Sequence, residues 1–546
     1  MLTKIFLIIN TIRYLKFIQI SNRIKRNFIK PKFVLFPSPQ ISYLVNSLQP
    51  VIKYSQRMYG ADTFKFLNKE ADIRLADDWN AVDFDKLWLY NLHYFDDLNS
   101  INSEQRSLWH NNLVQRWIDE NPPKYQYGNG WEPYPSSLRI VNWIKWFLLN
   151  GNKKKNWTDS LAIQVRFLIQ NLEFHLLGNH LLANSKALIF AGLFFKGEEA
   201  DNWYQIGINI LNKELSEQIL LDGGDYELSP MYHSILLEDL LDLINIHQAY
   251  GRGLLIDLES TTEEMFGWLR AMCHPDGQIA FFNDSTLGVS PTLAELSSYA
   301  KRLNILKKNH KFKGLTHLKN SGYIRVDKEN VVLIADIADI GPKYIPGHGH
   351  ADALSFEMSL FANRVIVNSG ISTYEIGDER HKQRGTASHS TIIVDDKNSS
   401  EVWRGFRVAR RAKVLNVKAM DQNNNVKFSA FHDGYKRLKK SVFHYREWSV
   451  FNFCIEINDK VTGKGSHKIS SILPLHPDVN VISIGHDCAI LKIINKRIKV
   501  NFEGEGVLRV SSSYYHQEFG MSLANKQLIY DYNGELPFKS KIKISW

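Results

Sequence analysis

SerGlyTyrIleArgValAspLysGluAsnValValLeuIleAlaAsp, residues 321–336, marks the point where the chain changes its hydrophobic period. Two short runs rich in β-branched residues flank a charged, Asn-containing break, the pattern of paired strands. Similar runs follow: LeuSerPheGluMetSerLeuPhe at 354–361, SerThrIleIleValAsp at 390–395 and AsnValLysPheSerAlaPhe at 425–431. Gly, Asn and Asp separate them, so everything after Ser321 reads as a large antiparallel β structure. From about residue 100 to about 305 the apolar spacing is helical, broken by short polar turns in the manner of stacked helical hairpins. SerLeuTrpHisAsnAsnLeuValGlnArgTrpIle at 107–118 and MetTyrHisSerIleLeuLeuGluAspLeuLeu at 231–241 are clear members. The expected division is a basic tail or amphipathic helix over 1–45, a helical domain over 46–312 and a β domain over 313–546. The Lys-rich segment 307–314 is the junction. No low-complexity linker separates the halves, so they are expected to pack together and share a cleft.

The length of 546 residues and the 44% hydrophobic content exceed what one core organises, in keeping with two domains. The formal charge of +10 suggests a nucleic-acid partner until its place is found. Residues 1–32 carry eight Lys or Arg and no acid, and removing those eight leaves +2 for the rest. A global basic field is therefore absent, and nucleic acid is excluded as the expected partner. In the tail, apolar residues recur at helical spacing with basic ones between them. Two readings stay open: an amphipathic helix on an anionic membrane surface, or a first helix packed on the body. Arg13 and Lys16 interrupt the apolar run before signal or transmembrane length, and no small-residue cleavage site follows. The expected location is the cell envelope, at the cytoplasmic membrane face or in the periplasm. The three cysteines, Cys273, Cys454 and Cys488, form no short pair and imply neither a disulfide framework nor a cysteine zinc site.

The chemistry concentrates in a few segments. GlyHisGlyHisAlaAsp, 347–352, sets two imidazoles two residues apart on a Gly-rich approach to an apolar strand, and His389 precedes another β run. Histidines so placed can divide labour between proton transfer and metal binding, or be satisfied polar residues in a turn. GlyAsnHis at 178–180 offers Asn179 as an amide donor and His180 as a proton donor, or a helix cap beside a surface histidine. AspGlyGlyAspTyrGluLeuSerProMetTyrHis, 222–233, presents Tyr232 and His233 at a helix start, as proton carriers or packing residues. The segment from Trp131 to Trp143 holds Arg139 and Asn142 three apart on one helical face, able to bind an anionic sugar or to tie helices together. TrpArgGlyPheArgValAlaArgArgAla, 403–412, supplies Arg404, Arg407 and Arg410; alternation along one strand would send Arg407 to the face opposite the other two. His432 and Tyr435 are further candidates for the cleft.

These motifs, in this order, resemble the heparinase II/III group of polysaccharide lyases over most of the chain. The resemblance implies an α+β multidomain fold, an incomplete (α/α) toroid followed by an antiparallel β-sandwich. ArgTyrLeuLysPheIleGlnIle at 13–20 is similar to the start of members found with surface-polysaccharide genes. The implied activity is β-elimination on an acidic, uronic-acid-containing polysaccharide: a proton leaves carbon 5 and the glycosidic oxygen leaves carbon 4. Asn179 and His180 match the positions that neutralise the acid, Tyr232 the tyrosine serving as base, acid or both, and His348 the histidine on the opposite side of the ring. Trp131, Arg139, Asn142, His233 and Arg407 are the expected substrate contacts. The group's structural zinc maps to His350, Asn368 and His389, where Asn368 stands in place of the usual Asp; no organic cofactor is implied. Two other functions stay open: a non-catalytic glycan-binding or assembly protein, and a glycoside hydrolase using Asp225 and Glu227.

Overall fold

The computed structural model describes residues 2–546 except 125–127, 152, 254–256, 307–310, 423–424 and 439–440. The first four residues of the expected junction segment thus lie outside the described residues.

The helical half is built as its periodicity predicts. Ser107–Glu120, Pro133–Asn150, Lys155–Ile169, Gly178–Phe194, Glu198–Gln218, Pro230–Ala249 and Leu258–Ala271 are α-helices. Gly178–Phe194 is buried on nearly every side, packed against Pro133–Asn150, Glu198–Gln218 and Pro230–Ala249. A helix apolar all round belongs inside a helical layer. Tryptophans fill the core: Trp79, Trp88, Trp117, Trp143, Trp157 and Trp203 are essentially solvent-free, and truncating any one to Ala would cost about 3–5 kcal/mol.

After residue 313 the chain forms, among the described residues, three larger antiparallel sheets and one two-stranded hairpin. Five strands, Gly314–Leu318, Tyr323–Lys328, Val331–Asp336, Phe356–Leu360 and Asn363–Ile366, pair in sequence order. A four-stranded sheet, ordered Ile392–Val394, Ser466–Pro474, Leu523–Glu535, Val507–Tyr515, joins them edge to edge through an Ile366–Leu475 bridge. An eight-stranded sheet covers that layer, and Val326, Leu333, Phe356, Phe428, Trp448, Leu473 and Leu528 share the core between. The five-stranded sheet is buried on its other face too, where Tyr323, Val332 and Ile334 meet Leu228, Trp268 and Phe282 of the helical half. This explains why 331–335 reads as a continuous apolar run: both faces are covered, so polar alternation is lost. Phe356–Leu360 keeps its alternation although wholly buried, with Glu357 and Ser359 bonded to His274 of the helical half at 2.9 and 2.8 Å. The seam also fixes the site. Segments 337–355 and 367–391 leave the sheet and lie along the helical half.

The N-terminal segment forms two helices, Leu2–Ile12 and Phe17–Phe28, packed on the body. Thr11 Oγ1 donates to Val408 O (3.3 Å) and accepts from Trp403 Nε1 (3.1 Å) on the β side. Gln19 Nε2 donates to Leu176 O (3.2 Å) and Lys16 pairs with Glu217 on the helical side. Ile18 packs beside Leu177 and Tyr344, while Phe17 and Phe28 face outward, 83% and 82% exposed. Among the described residues no helix is long and apolar enough to cross a membrane.

Candidate active site

A cavity of about 1250 Å³ opens along the seam, larger than a small-molecule pocket needs and suited to several sugar units. Its wall takes Asn179, His180 and Tyr232 from the helical half and His348, Tyr374 and Arg407 from the β half.

Tyr232 stands in the first turn of Pro230–Ala249. Pro230 opens that helix with its φ already helical, and the Ser229 hydroxyl caps it by accepting from Tyr232 N at 3.2 Å. The phenol is 3.0 Å from Tyr374 Oη, and its ring centroid lies 4.0 Å from that of His348. Burial, with Tyr374 beside it, pushes Tyr232 well above the ordinary tyrosine value, so the phenol is protonated at neutral pH.

His348 is oriented by Asp284, a fully buried carboxylate that accepts from His348 Nδ1 (2.8 Å), His350 Nε2 (2.9 Å) and both Arg380 amino groups (2.5 and 2.6 Å). Burial alone would raise Asp284. The Arg380 charge and the hydrogen bonds from the two imidazoles outweigh it and hold the carboxyl well below the usual range. An ionised Asp284 fixes the proton of His348 on Nδ1, leaving a lone pair on Nε2. Burial lowers His348 below 6.5 against the pull of Asp284, so the ring is neutral at pH 7. Nε2 lies 3.5 Å from Glu227 Oε2.

In the helical half, Gly178 precedes Asn179 with φ +61°, and a Cβ there would stand 2.8 Å from Glu227 Oε1. Only glycine fits both demands. His180 Nδ1 donates to Glu173 Oε1 at 3.1 Å. Despite its burial, Glu173 is held below its ordinary value by His180 and Asn184, so it fixes the His180 tautomer and turns Nε2 outward. Glu227 is pushed well up by burial, with Asp225 adding to the shift, and burial raises Asp225 to about 7.

Three expected substrate contacts are corrected. Trp131 is 3% exposed, its indole donating to Asn121 O (3.1 Å) between Phe33, Trp117 and Phe167. Arg139 is wholly buried, donating to Gln164 Oε1 (2.8 Å) and Gly130 O (2.7 Å) with its guanidinium 3.9 Å from the Trp117 ring centroid. His233 is also buried, accepting from Asp225 N (3.2 Å) and donating to Met265 O (2.9 Å). None of the three lines the cavity. Asn142, three residues after Arg139, does reach the wall, donating to Tyr94 O (2.9 Å) and Asp96 Oδ1 (2.8 Å).

The Arg-rich segment is a hairpin rather than one strand: Val402–Trp403 pairs with Arg407–Val408, and Arg404 turns the chain with φ +48°. Arg404 and Arg407 therefore both line the cavity, while Arg410 pairs with Glu401 at 2.5 Å. His432 and Tyr435 lie inside the sandwich: His432 contacts His444 (3.2 Å) and Tyr435 donates to Ile392 O (2.8 Å).

Behind His348, His350 Nδ1, both ring nitrogens of His389 and both amide atoms of Asn368 are buried without a hydrogen-bond partner among the described residues. The His350 and His389 rings are 5.2 Å apart. Burial lowers His350 to about 4 and His389 well below 6.5, leaving lone pairs free. In type, two imidazole nitrogens and an amide oxygen fit zinc, without the charge an Asp would add. Among the described residues no group of three or more His, Cys, Asp or Glu able to hold a metal occurs.

Sequence reasoning missed Asp284, Arg380, Tyr374 and Glu173. Asp284 did carry a signal, as the lone charge between Asp276 and Glu295. Its partner Arg380 is 96 residues away, a separation no local pattern reports.

Comparison with known proteins supplies the family. Residues 61–313 match the pattern described as "Heparinase II/III N-terminus" and residues 311–546 that of "Heparinase II/III-like, C-terminal". A "Heparin-sulfate lyase" of Pedobacter heparinus is 27% identical over 327 residues, 52% of this chain and 47% of that protein. One from Bacteroides stercoris is 27% identical over 243 residues, 40% of this chain and 36% of that protein. The chain thus spans about half or less of these curated relatives. Of solved structures, "Heparinase III" superposes with TM-score 0.71 at 18% identity, covering 86% of this chain and 79% of that one. The heparan sulfate lyase HepC of Pedobacter heparinus gives 0.59 at 19% identity, covering 89% and 81%. These likenesses carry the fold of a helical toroid joined to an antiparallel β-sandwich. With both of its halves matched, the chain belongs to the heparinase II/III family.

Proposed function

We propose that this chain is a polysaccharide lyase that cleaves an acidic, uronic-acid-containing polysaccharide by β-elimination. The observation that carries the reading is the contact of Tyr232 with His348 on one cavity, ring centroids 4.0 Å apart, with His348 held by Asp284. His348 Nε2 takes the carbon 5 proton, the electron pair forms the carbon 4–carbon 5 double bond, and the glycosidic oxygen leaves with a proton from the Tyr232 phenol. The protonated resting state of Tyr232 supports the acid role. Tyr374, 3.0 Å away, is placed to stabilise the phenolate left behind. Asn179 and His180 neutralise the uronate, without which the carbon 5 proton is too weakly acidic. Positioned proton transfer contributes roughly 10²–10⁴-fold, and neutralising donors in a dry site add about 3–4 kcal/mol each. The names of the relatives support an acidic polysaccharide as the partner.

Against a hydrolase, Glu227 does not line the cavity, and Asp225 accepts from the Glu227 backbone amide (3.5 Å) rather than facing it across a gap. A hydrolase needs two carboxyls on opposite sides of the scissile bond. Wild-type protein incubated with heparan sulfate and other uronate polymers should produce an ultraviolet-absorbing unsaturated end; saturated ends alone would refute the reading.

Zinc, where bound, would be held by His350, His389 and Asn368 and would brace the loop carrying His348, taking no part in the proton transfers. We also propose that residues 1–32 touch an anionic membrane at the cell envelope. The outward apolar stripe of Phe17, Ile24 and Phe28, next to Lys25, Lys30 and Lys32 and with no acid in the segment, supports this. Phe17→Asp with Phe28→Asp should abolish co-sedimentation with phosphatidylserine vesicles; retained binding would refute it.

A further inference from the structure

The cavity has a charged feature that Asn179, His180, Tyr232 and His348 leave unused. Arg23, on the helix Phe17–Phe28, and Arg407, on the β hairpin, line the same cavity from opposite sides of the seam. Arg23 lies outside the residues matched by the family patterns, which begin at 61.

Both positions are fixed by the scaffold. The Arg23 helix is fastened to the helical half by Gln19 on Leu176, by Arg26 at 3.3 Å from His175 Nδ1 and by Lys16 on Glu217, and the Lys16 ammonium also sits 3.8 Å from the ring centroid of Tyr344 of the β half. The Arg407 hairpin is tied to the preceding helix through Thr11. The cavity lysines Lys86, Lys145 and Lys186 each meet a carboxylate, at 3.1, 2.5 and 2.5 Å. Among the described residues, neither Arg23 nor Arg407 has an acid within ion-pair distance. Partial burial, and then the Arg407 charge, lower the Arg23 guanidinium from its ordinary value. Two unneutralised like charges held toward each other across a cleft cost free energy that a bridging anion removes, and planar guanidinium forks match carboxylate and sulfate oxygens.

We propose that Arg23 and Arg407 jointly bind one anionic group of the polysaccharide, a carboxylate or a sulfate, on a sugar other than the one whose uronate Asn179 and His180 neutralise. The proposal rests on the lyase reading for the identity of the polymer, but its test does not need turnover.

Affinity is measured by calorimetry for heparan sulfate oligosaccharides and their fully desulfated counterparts, in a Tyr232→Phe background that keeps the chain intact. Arg23→Gln and Arg407→Gln should each weaken binding roughly 5- to 30-fold. The double variant should lose much less than the product of the two, because both side chains hold one anion. A loss confined to the sulfated probe identifies sulfate; a loss kept on the desulfated probe identifies carboxylate. Lys25→Gln, on the same helix but off the cavity wall, should leave affinity unchanged. Unaltered affinity in both arginine variants, losses that multiply, or an equal loss in Lys25→Gln would overturn the proposal. Arginine-dependent binding in a wild type that makes no unsaturated product would refute the lyase reading and keep the subsite. Turnover with unchanged KM in both variants would do the reverse.

Discussion

Replacing Asp284 by Asn separates the two tasks assigned to that carboxylate. The amide keeps the side chain's size, loses its charge and turns one acceptor into an NH₂ donor facing Arg380 or an imidazole. Arg380 is 1% exposed, and its only carboxylate partner among the described residues is Asp284. An uncompensated buried guanidinium costs about 3–5 kcal/mol. Separately, His348 loses the group that holds its Nδ1 proton, so the base adopts the wrong tautomer or orientation, a loss of roughly 10²–10⁴ in kcat. Calorimetric unfolding reads the first effect and absorbance of the unsaturated product the second. The double variant Asp284→Asn with Arg380→Met divides them: removing both charges restores much of the stability, while kcat stays low because His348 is still unanchored. Recovery of kcat together with stability in the double variant, or a single variant with wild-type turnover, would refute the role given to Asp284.

Other expectations follow from single residues. Arg139→Ala removes hydrogen bonds and the cation over Trp117 from a sealed core, so it should lower stability by about 3 kcal/mol and leave KM for the polysaccharide unchanged; a selective rise in KM would return Arg139 to the substrate. For Asp97, burial works to raise the carboxyl, but hydrogen bonds from His110, Arg106 and the backbone lower it from 3.8 to about 2. Its contribution is therefore present above pH 3.8 and lost as pH falls toward 2, about 2 kcal/mol in all. Asp97→Asn should flatten the acid limb of stability against pH, and an unchanged limb would refute this. Asn368→Asp should raise zinc retained after dialysis roughly 10- to 100-fold, read by elemental analysis; equal retention would refute the assignment of His350 and His389 as ligands.

The period switch near Ser321 locates the seam because strand and helix spacing are local properties. The GlyHisGlyHis and GlyAsnHis segments are legible for the same reason: glycines mark close approaches, and a Cβ at Gly178 would meet Glu227 Oε1 at 2.8 Å and one at Gly349 would meet Ile340 O closer still. What failed to be legible was long-range or directional. Helical spacing puts Arg139 and Asn142 on one face but does not say which of them looks into the core, and the tryptophan packing decides that. Strand alternation sorted Arg404, Arg407 and Arg410 wrongly because Arg404 is in a turn. For the N-terminal helices the sequence left a membrane surface and packing on the body both open, because an amphipathic period does not say what its apolar face meets; Thr11, Lys16, Ile18 and Gln19 make contacts with the body. Arg380 had no local signal at all, since its role exists only beside Asp284.

The central claim is elimination by His348 and Tyr232, and the most direct measurement is ultraviolet absorbance during incubation with a panel of acidic polysaccharides. Wild type should generate an unsaturated uronate on at least one polymer, and Tyr232→Phe and His348→Ala should each abolish the signal while oligosaccharide affinity persists. Saturated reducing ends without absorbance, or saturable binding without any cleavage by the wild type, would contradict the account.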